Sequence, residues 1–320
     1  AKTGRPVDVA GSRYENGPVL IWPGTYGVHN WQPMSFSPKD GLTFIPTIHM
    51  ANYYSAEGID ARSWLPTKNA WNTGLADSDL NLPLEEFSSA LLAWDPVTQT
   101  ARWRVPTAGT LGGGTMATAG GLVFQGELDG TFNARSTSDG RKLWSVNAGV
   151  AVTGAPISFS VGRRQYVTVL AGPPGGTVAY PEASKKFGWQ YRDPRRVLTF
   201  VLDGRATLPS APPSPLQIAS SGGDPVDPAL AAAGATLFGG QCASCHGTGA
   251  VSGGAGPDLR ASAIVLSETA FAETVRDGAL LKAGMPQFND LSSLDIESVR
   301  SYLRSRAADA SAEPGGAMHP

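Results

Sequence analysis

The sequence predicts a mainly β region of propeller type followed by a small all-α domain, and three features carry that expectation. Over residues 1–203 short apolar runs alternate with turn residues, as in Leu42-Thr43-Phe44-Ile45, Gly121-Leu122-Val123-Phe124 and Tyr166-Val167-Thr168-Val169-Leu170. Inside that stretch a strand-turn-strand unit repeats after roughly forty residues, the spacing of a propeller blade. After residue 227 the apolar positions change to helical spacing, with Ile296, Val299 and Leu303 on one face.

The repeat is specific. Leu92-Ala93-Trp94-Asp95-Pro96-Val97-Thr98 runs on to Arg102-Trp103, and Phe132-Asn133-Ala134-Arg135-Ser136 runs through Asp139-Gly140 to Leu143-Trp144. In each, a strand near Ala passes a polar turn and enters a strand ending in Trp, whose large flat surface can dock one sheet on the next. Asp40-Gly41 and Asp129-Gly130 read as hairpin turns, since Asp and Gly tolerate the positive φ such turns need. A generic β-sandwich stays open on these signals.

Composition bounds the function. The 320 residues suggest about two domains. The 39 Gly, 25 Pro and 8 Trp suit many short strands. Net charge is −2 with 16% charged residues and no basic run, which argues against nucleic acid as a partner. No run of eighteen apolar residues exists to span a membrane. Ala1-Lys2-Thr3-Gly4 has no apolar core and is not a signal peptide.

Residues 204–226 read as a linker, with a semi-rigid half carrying Pro209, Pro212, Pro213 and Pro215 and a flexible half in Ser220-Ser221-Gly222-Gly223. A helical domain is expected over 227–307. Asp227-Pro228 is a good helix start, and that helix runs over Leu230 to Phe238. Ser267 caps a second helix with Phe271 and Val275, stopped by Gly278; Ser292 precedes a third. Residues 308–320, with Pro314-Gly315-Gly316, are expected to be a disordered tail.

The only two cysteines lie in Gln241-Cys242-Ala243-Ser244-Cys245-His246-Gly247. Cys-x-x-Cys-His is the attachment signature of a c-type haem. Cys242 and Cys245, three residues apart on one helical turn, can form thioether bonds to the two vinyl groups of one porphyrin, and His246 then aims its imidazole at the iron. Met285 follows in Gly284-Met285-Pro286, 39 residues on (285 − 246). A Met thioether opposite His is the usual axial pair of an electron-carrying cytochrome and raises its potential. Pro257 fits the loop whose carbonyl accepts the hydrogen bond of the ligand His. Helix, haem motif, helix, Met loop and final helix is the order of a small cytochrome c. Competing readings are a thioredoxin-type pair, which needs a βαβ setting, and half a zinc site, which lacks a second Cys pair. Met285 could also be core packing. His29, His49 and His319 have no metal-ligand spacing, and His319 falls in the tail.

The β region also carries a likeness. Tyr26-Gly27-Val28-His29-Asn30-Trp31-Gln32-Pro33-Met34-Ser35-Phe36-Ser37-Pro38 resembles a signature of the pyrroloquinoline-quinone (PQQ) alcohol dehydrogenases. So do Leu91-Leu92-Ala93-Trp94-Asp95-Pro96 and Gly113-Gly114-Thr115-Met116-Ala117-Thr118-Ala119-Gly120-Gly121-Leu122-Val123-Phe124-Gln125-Gly126. With the cytochrome behind it, the chain resembles the C-terminal part of a type II quinohaemoprotein alcohol dehydrogenase. The resemblance implies part of an eight-bladed propeller that holds PQQ and Ca²⁺ near its axis. It implies an Asp base for the alcohol proton, hydride passage to the quinone and electron passage to one haem c.

By the same match Asn30, Trp31 and Gly172 fall on the PQQ side, although Trp31 could be blade packing and Asn30 a turn cap. The family's Ca²⁺ ligands, catalytic Asp, vicinal disulfide and most PQQ contacts lie upstream of the matched point, so none is expected here. Gly172-Pro173-Pro174-Gly175 stands where the family often has Gly-Trp, and Leu111 where a Trp is common. Haem c is attached outside the cytoplasm, so a periplasmic setting is implied. An export signal was then removed, or the chain is part of a longer one. The partners implied are an upstream propeller half and an electron acceptor such as a small cytochrome c, a cupredoxin or a quinone-linked protein. Other functions stay open: an electron-transfer cytochrome whose partial propeller is a docking scaffold, or a quinoprotein acting on a cyclic or polymeric alcohol.

Overall fold

The computed structural model describes residues 3–5, 7–66, 72–75, 82–173, 187, 189, 191–209, 218, 225–252 and 254–312. Thirteen strands occur among them. β1 (Val19–Ile21) pairs with β4 (Asn52–Tyr54). The rest form three antiparallel meanders. The first has the order β2 (Ser35–Ser37), β3 (Leu42–His49), β5 (Ser88–Asp95), β6 (Thr100–Thr107). The second has β7 (Thr115–Ala117), β8 (Leu122–Gly126), β9 (Thr131–Ser136), β10 (Lys142–Asn147). The third has β11 (Ile157–Val161), β12 (Arg164–Ala171), β13 (Arg196–Val201). Gly41 and Gly130 take the positive φ expected of the turns, +68° and +88°.

The repeated unit becomes the outer hairpin of two successive sheets, and both hairpins carry a register irregularity, at Ala93/Trp94 and at Lys142/Trp144. The tryptophans sit early in β6 and β10, not at strand ends as the sequence suggested. Each lies beside the register irregularity of its hairpin, where a bulge adds local twist. Trp103 stacks on Phe44 at 5.6 Å and donates from Nε1 to the Thr137 carbonyl, 2.9 Å away, just after β9 of the second sheet. Trp144 meets Phe200 of the third sheet edge-on at 5.2 Å. Leu42, Phe44 and Leu91 pack with Val123 between sheets one and two. Phe124, Phe132 and Val152 pack with Val169 and Leu198 between sheets two and three. Consecutive meanders docked face to face form a run of propeller blades, which removes the sandwich alternative.

Among the described residues, apolar side chains stand exposed on the outer faces of this run. On the third sheet Ile157, Phe159 and Val161 line one face with Leu170 and Val197, all exposed. On the first sheet Phe36 is exposed. At the start of the linker Leu208 packs on the second core and Arg196 donates to the Pro209 carbonyl at 2.9 Å.

The C-terminal domain is helical: α1 (Pro228–Gln241), α2 (Ala243–His246), α3 (Glu268–Val275) and α4 (Ser293–Ala312). The expected caps form. Asp227 accepts from Ala229 N at 2.8 Å, and Ser267 from Ala270 N at 3.2 Å. Ser292 and Asp295 each accept from the other's backbone N–H, a capping box. Ile296, Val299 and Leu303 enter a core with Phe238, Phe271 and Phe288. The tail expected to be disordered from Ala308 is instead helical through Ala312. Ala307 and Ala310 keep the buried face going, and Arg306 pairs with Asp309 at 2.9 Å. Residues 313–320, His319 included, and most of the linker lie outside the described residues. No helix among the described residues is long and apolar enough to cross a membrane.

One glycine sets the crossing of α1 and α4. A Cβ on Gly234 would run into the Ser298 carbonyl and approach Tyr302 Cβ to 2.9 Å. Helix propensity favours Ala over Gly by about 1 kcal/mol. Overpacking against rigid backbone costs about 1–3 kcal/mol or more. Gly234→Ala is therefore expected to lower stability by up to about 2 kcal/mol net, read as a fall in the domain's Tm; a rise would show that the helices separate freely.

Candidate functional site

The end of α1 runs almost without a break into α2. Cys242 N donates to the Phe238 carbonyl at 2.9 Å, and Cys245 N and His246 N both reach the Cys242 carbonyl, at 3.1 and 3.0 Å. One helical turn thus fixes the three side chains relative to each other. Cys242 packs on the helical core, whereas Cys245 is exposed. Burial, and then the neighbouring Cys245, push a Cys242 thiol up to about 12. Such a thiol is protonated at neutral pH and a poor nucleophile. Among the described residues no group of three or more His, Cys, Asp and Glu side chains is assembled, so the zinc reading finds no further ligands.

His246 Nδ1 lies 2.9 Å from the Pro257 carbonyl. A carbonyl only accepts, so Nδ1 carries the proton and Nε2 keeps its lone pair. Burial holds the His246 pKa below its usual value, while the Pro257 hydrogen bond and the charge of Asp258 oppose that shift. The neutral ring is the form that binds a metal. The Pro257 loop approaches closely because residue 256 has no side chain. A Cβ there would sit 2.9 Å from the Cys245 carbonyl and 3.1 Å from His246 Nδ1.

Met285 arrives by a different route. A 3₁₀ turn, Leu281–Ala283, ends at Gly284, whose φ of +94° only glycine adopts readily. Met285 is half-buried and packs on the core that also receives Cys242 and Leu259. Cys242, Met285 and Leu259 thus share one apolar interior, and among the described residues none engages the lone pair of His246 Nε2. That donor set suits a haem with two thioethers and a His/Met axial pair.

At the propeller, the segments leading into β2, β7 and β11 touch in a row. A Cβ on Gly114 would meet Pro33 Cδ at 2.6 Å and Ala155 Cβ at 3.1 Å, and Thr115 N donates to the Pro33 carbonyl at 2.8 Å. Trp31 stands in the first of these segments, 60% exposed. Leu111 stands in the second and packs on the small core of Ile48, Met50 and Phe87. Gly172 follows β12, antiparallel to β11, and so lies at the same end of the sheets; its N–H donates to the Ala151 carbonyl at 2.9 Å. Asn30 spends its amide locally: Nδ2 donates to the Tyr26 carbonyl at 3.0 Å and Oδ1 accepts from Trp31 N at 2.9 Å. It closes the turn that presents Trp31. Sequence reasoning passed over Gln32, which is fully buried with neither amide atom hydrogen-bonded, and the group Ser252, Asp258 and Arg260 beside Pro257. Asp258 directly follows Pro257, but only its burial marks it out.

Two family models divide the chain where the fold does. Residues 11–167 match "Glucose/ethanol/alcohol dehydrogenase, beta-propeller domain". Residues 229–303 match "Cytochrome C oxidase, cbb3-type, subunit III". Quinohemoprotein alcohol dehydrogenase ADH IIB of Pseudomonas putida is 42% identical over 310 residues, 95% of this chain. Along almost its whole length the chain is similar to the quinohaemoprotein alcohol dehydrogenases. It spans only 44% of that relative's length. Among solved structures, ADHIIG of Pseudomonas putida superposes with a TM-score of 0.86 at 36% identity, covering 98% of this chain and 47% of the other. Quinohemoprotein alcohol dehydrogenase from Comamonas testosteroni gives 0.77 at 31% identity, covering 98% and 46%. Within this chain Cys242, Cys245, His246 and Met285 fall inside the cytochrome match and Asn30 and Trp31 inside the propeller match. Gly172 lies beyond the latter.

Proposed function

We propose that this chain is the electron-exit part of a periplasmic PQQ-dependent alcohol dehydrogenase, the part that carries reducing equivalents from the quinone towards an outside acceptor. The observation that carries the reading is the His246–Pro257 hydrogen bond, with Met285 and Cys242 on one core. When bound, PQQ supplies a two-electron acceptor for hydride, and haem c supplies a one-electron carrier. Cys242 and Cys245 would hold the haem covalently through their sulfurs. His246 Nε2 and Met285 would hold its iron. Pro257 orients the imidazole through its carbonyl, and Gly284 turns the chain so that Met285 enters. In the propeller Trp31 and Gly172 form one wall of the quinone site, and Asn30 holds Trp31 in place.

The remaining wall, the Ca²⁺ ligands and the base come from an upstream propeller half, in the same polypeptide or in a second chain. The exposed apolar face of the third sheet supports that partner, because such faces are normally buried. The acceptor is a small periplasmic electron carrier, a cytochrome c, a cupredoxin or a quinone-linked protein. Haem attachment is the direct test. Produced with a periplasmic signal and haem-attachment machinery, the chain is expected to carry one covalent haem, seen as peroxidase stain at its mass on a denaturing gel. Absence of stain there would reject the haem assignment.

A further inference from the structure

We propose that the Asp258–Arg260 ion pair, built into the loop that carries Pro257, positions the ligand histidine and sets the reduction potential of its iron. The proposal rests on the assignment of His246 as the axial ligand. The loop is closed by Ser252, whose Oγ donates to the Gly256 carbonyl at 2.7 Å and accepts from Gly254 N at 3.0 Å. Those bonds tie the loop without any charge. Asp258 adds more. One carboxylate oxygen accepts from Ser252 N at 3.0 Å and Arg260 Nη2 at 2.9 Å; the other accepts from Arg260 N at 3.1 Å and Arg260 Nε at 3.0 Å. Its side chain is 3% exposed and that of Arg260 17%.

Burying an ion pair is weak evidence for stability, because desolvation offsets the attraction. Its placement is more telling. Asp258 directly follows the residue whose carbonyl holds His246 Nδ1, and its negative charge acts on that ring. A negative charge there favours ferric iron, and the guanidinium beside it cancels much of that effect. The pair therefore fixes the carbonyl while its two charges tune the iron in opposite directions.

Two substitutions in the full haem-loaded chain separate these effects. Asp258→Asn removes the negative charge and leaves Arg260, so the ferrous form gains. Arg260→Gln leaves the carboxylate uncancelled, so the ferric form gains. Each is expected to move the equilibrium about tenfold, or about 59 mV for one electron. Spectroelectrochemical titration reads both. Shifts of opposite sign support the proposal; shifts of the same sign, as from a merely loosened loop, or none at all overturn it. If Asp258→Asn fails to accumulate, Arg260→Gln decides alone, a lowered potential supporting the proposal and an unchanged or raised one overturning it. Loss of haem from the unsubstituted chain would instead reject the ligand assignment itself.

Discussion

Met285→Ala is expected to abolish the weak far-red sulfur-to-iron absorption band and to lower the reduction potential. A thioether stabilises ferrous iron, so removing it favours the ferric state. Axial ligands set potentials over about 0.8 V, and losing this one should lower the potential by an amount on the order of 0.1 V. The haem itself should remain, because Cys242 and Cys245 hold it covalently and His246 keeps its bond to Pro257. The side chain also packs on the helical core, so some stability is lost with it. Chemical denaturation distinguishes that loss from ligand loss. An unchanged spectrum and potential would mean that another residue binds the iron and that Met285 is only packing.

The second large effect concerns the propeller. Without an upstream half, the chain is expected to retain neither PQQ nor Ca²⁺ on equilibrium dialysis. Ca²⁺ takes about six to eight oxygen ligands. Among the described residues no cluster of acidic side chains is gathered to supply them. Trp31 offers a stacking surface, but the Asn30 amide beside it is engaged with Tyr26 and Trp31. The uncovered face with Ile157, Phe159 and Val161 is also expected to drive self-association, visible as concentration-dependent mass, until an upstream half covers it. Stoichiometric PQQ retention by the chain alone would contradict this.

Much of the fold was legible because it follows from local chemistry. Asp227, Ser267 and Ser292 are capping residues, and each caps a helix. The Trp repeat marked blade docking because few side chains other than Trp span from one sheet to the next. What escaped depends on partners that sequence does not name. Asn30 looked ready for a cofactor, yet its amide is satisfied by backbone one and four residues away. The last helix outran its expected end because the small residues Ala307 and Ala310 bury well while giving little hydrophobic signal. Ser252, Asp258 and Arg260 read as ordinary loop residues; only folding brings them together beside Pro257.

Stopped-flow absorbance of the haem tests the relay most directly. The chain, with and without the upstream propeller half, is mixed with PQQ, Ca²⁺ and a panel of primary and secondary alcohols. With the upstream half present, alcohol-dependent haem reduction is expected; without it, the haem should respond only to a chemical reductant. Alcohol-dependent haem reduction by residues 1–320 alone would contradict the division of labour and place a catalytic base among residues assigned here to structure.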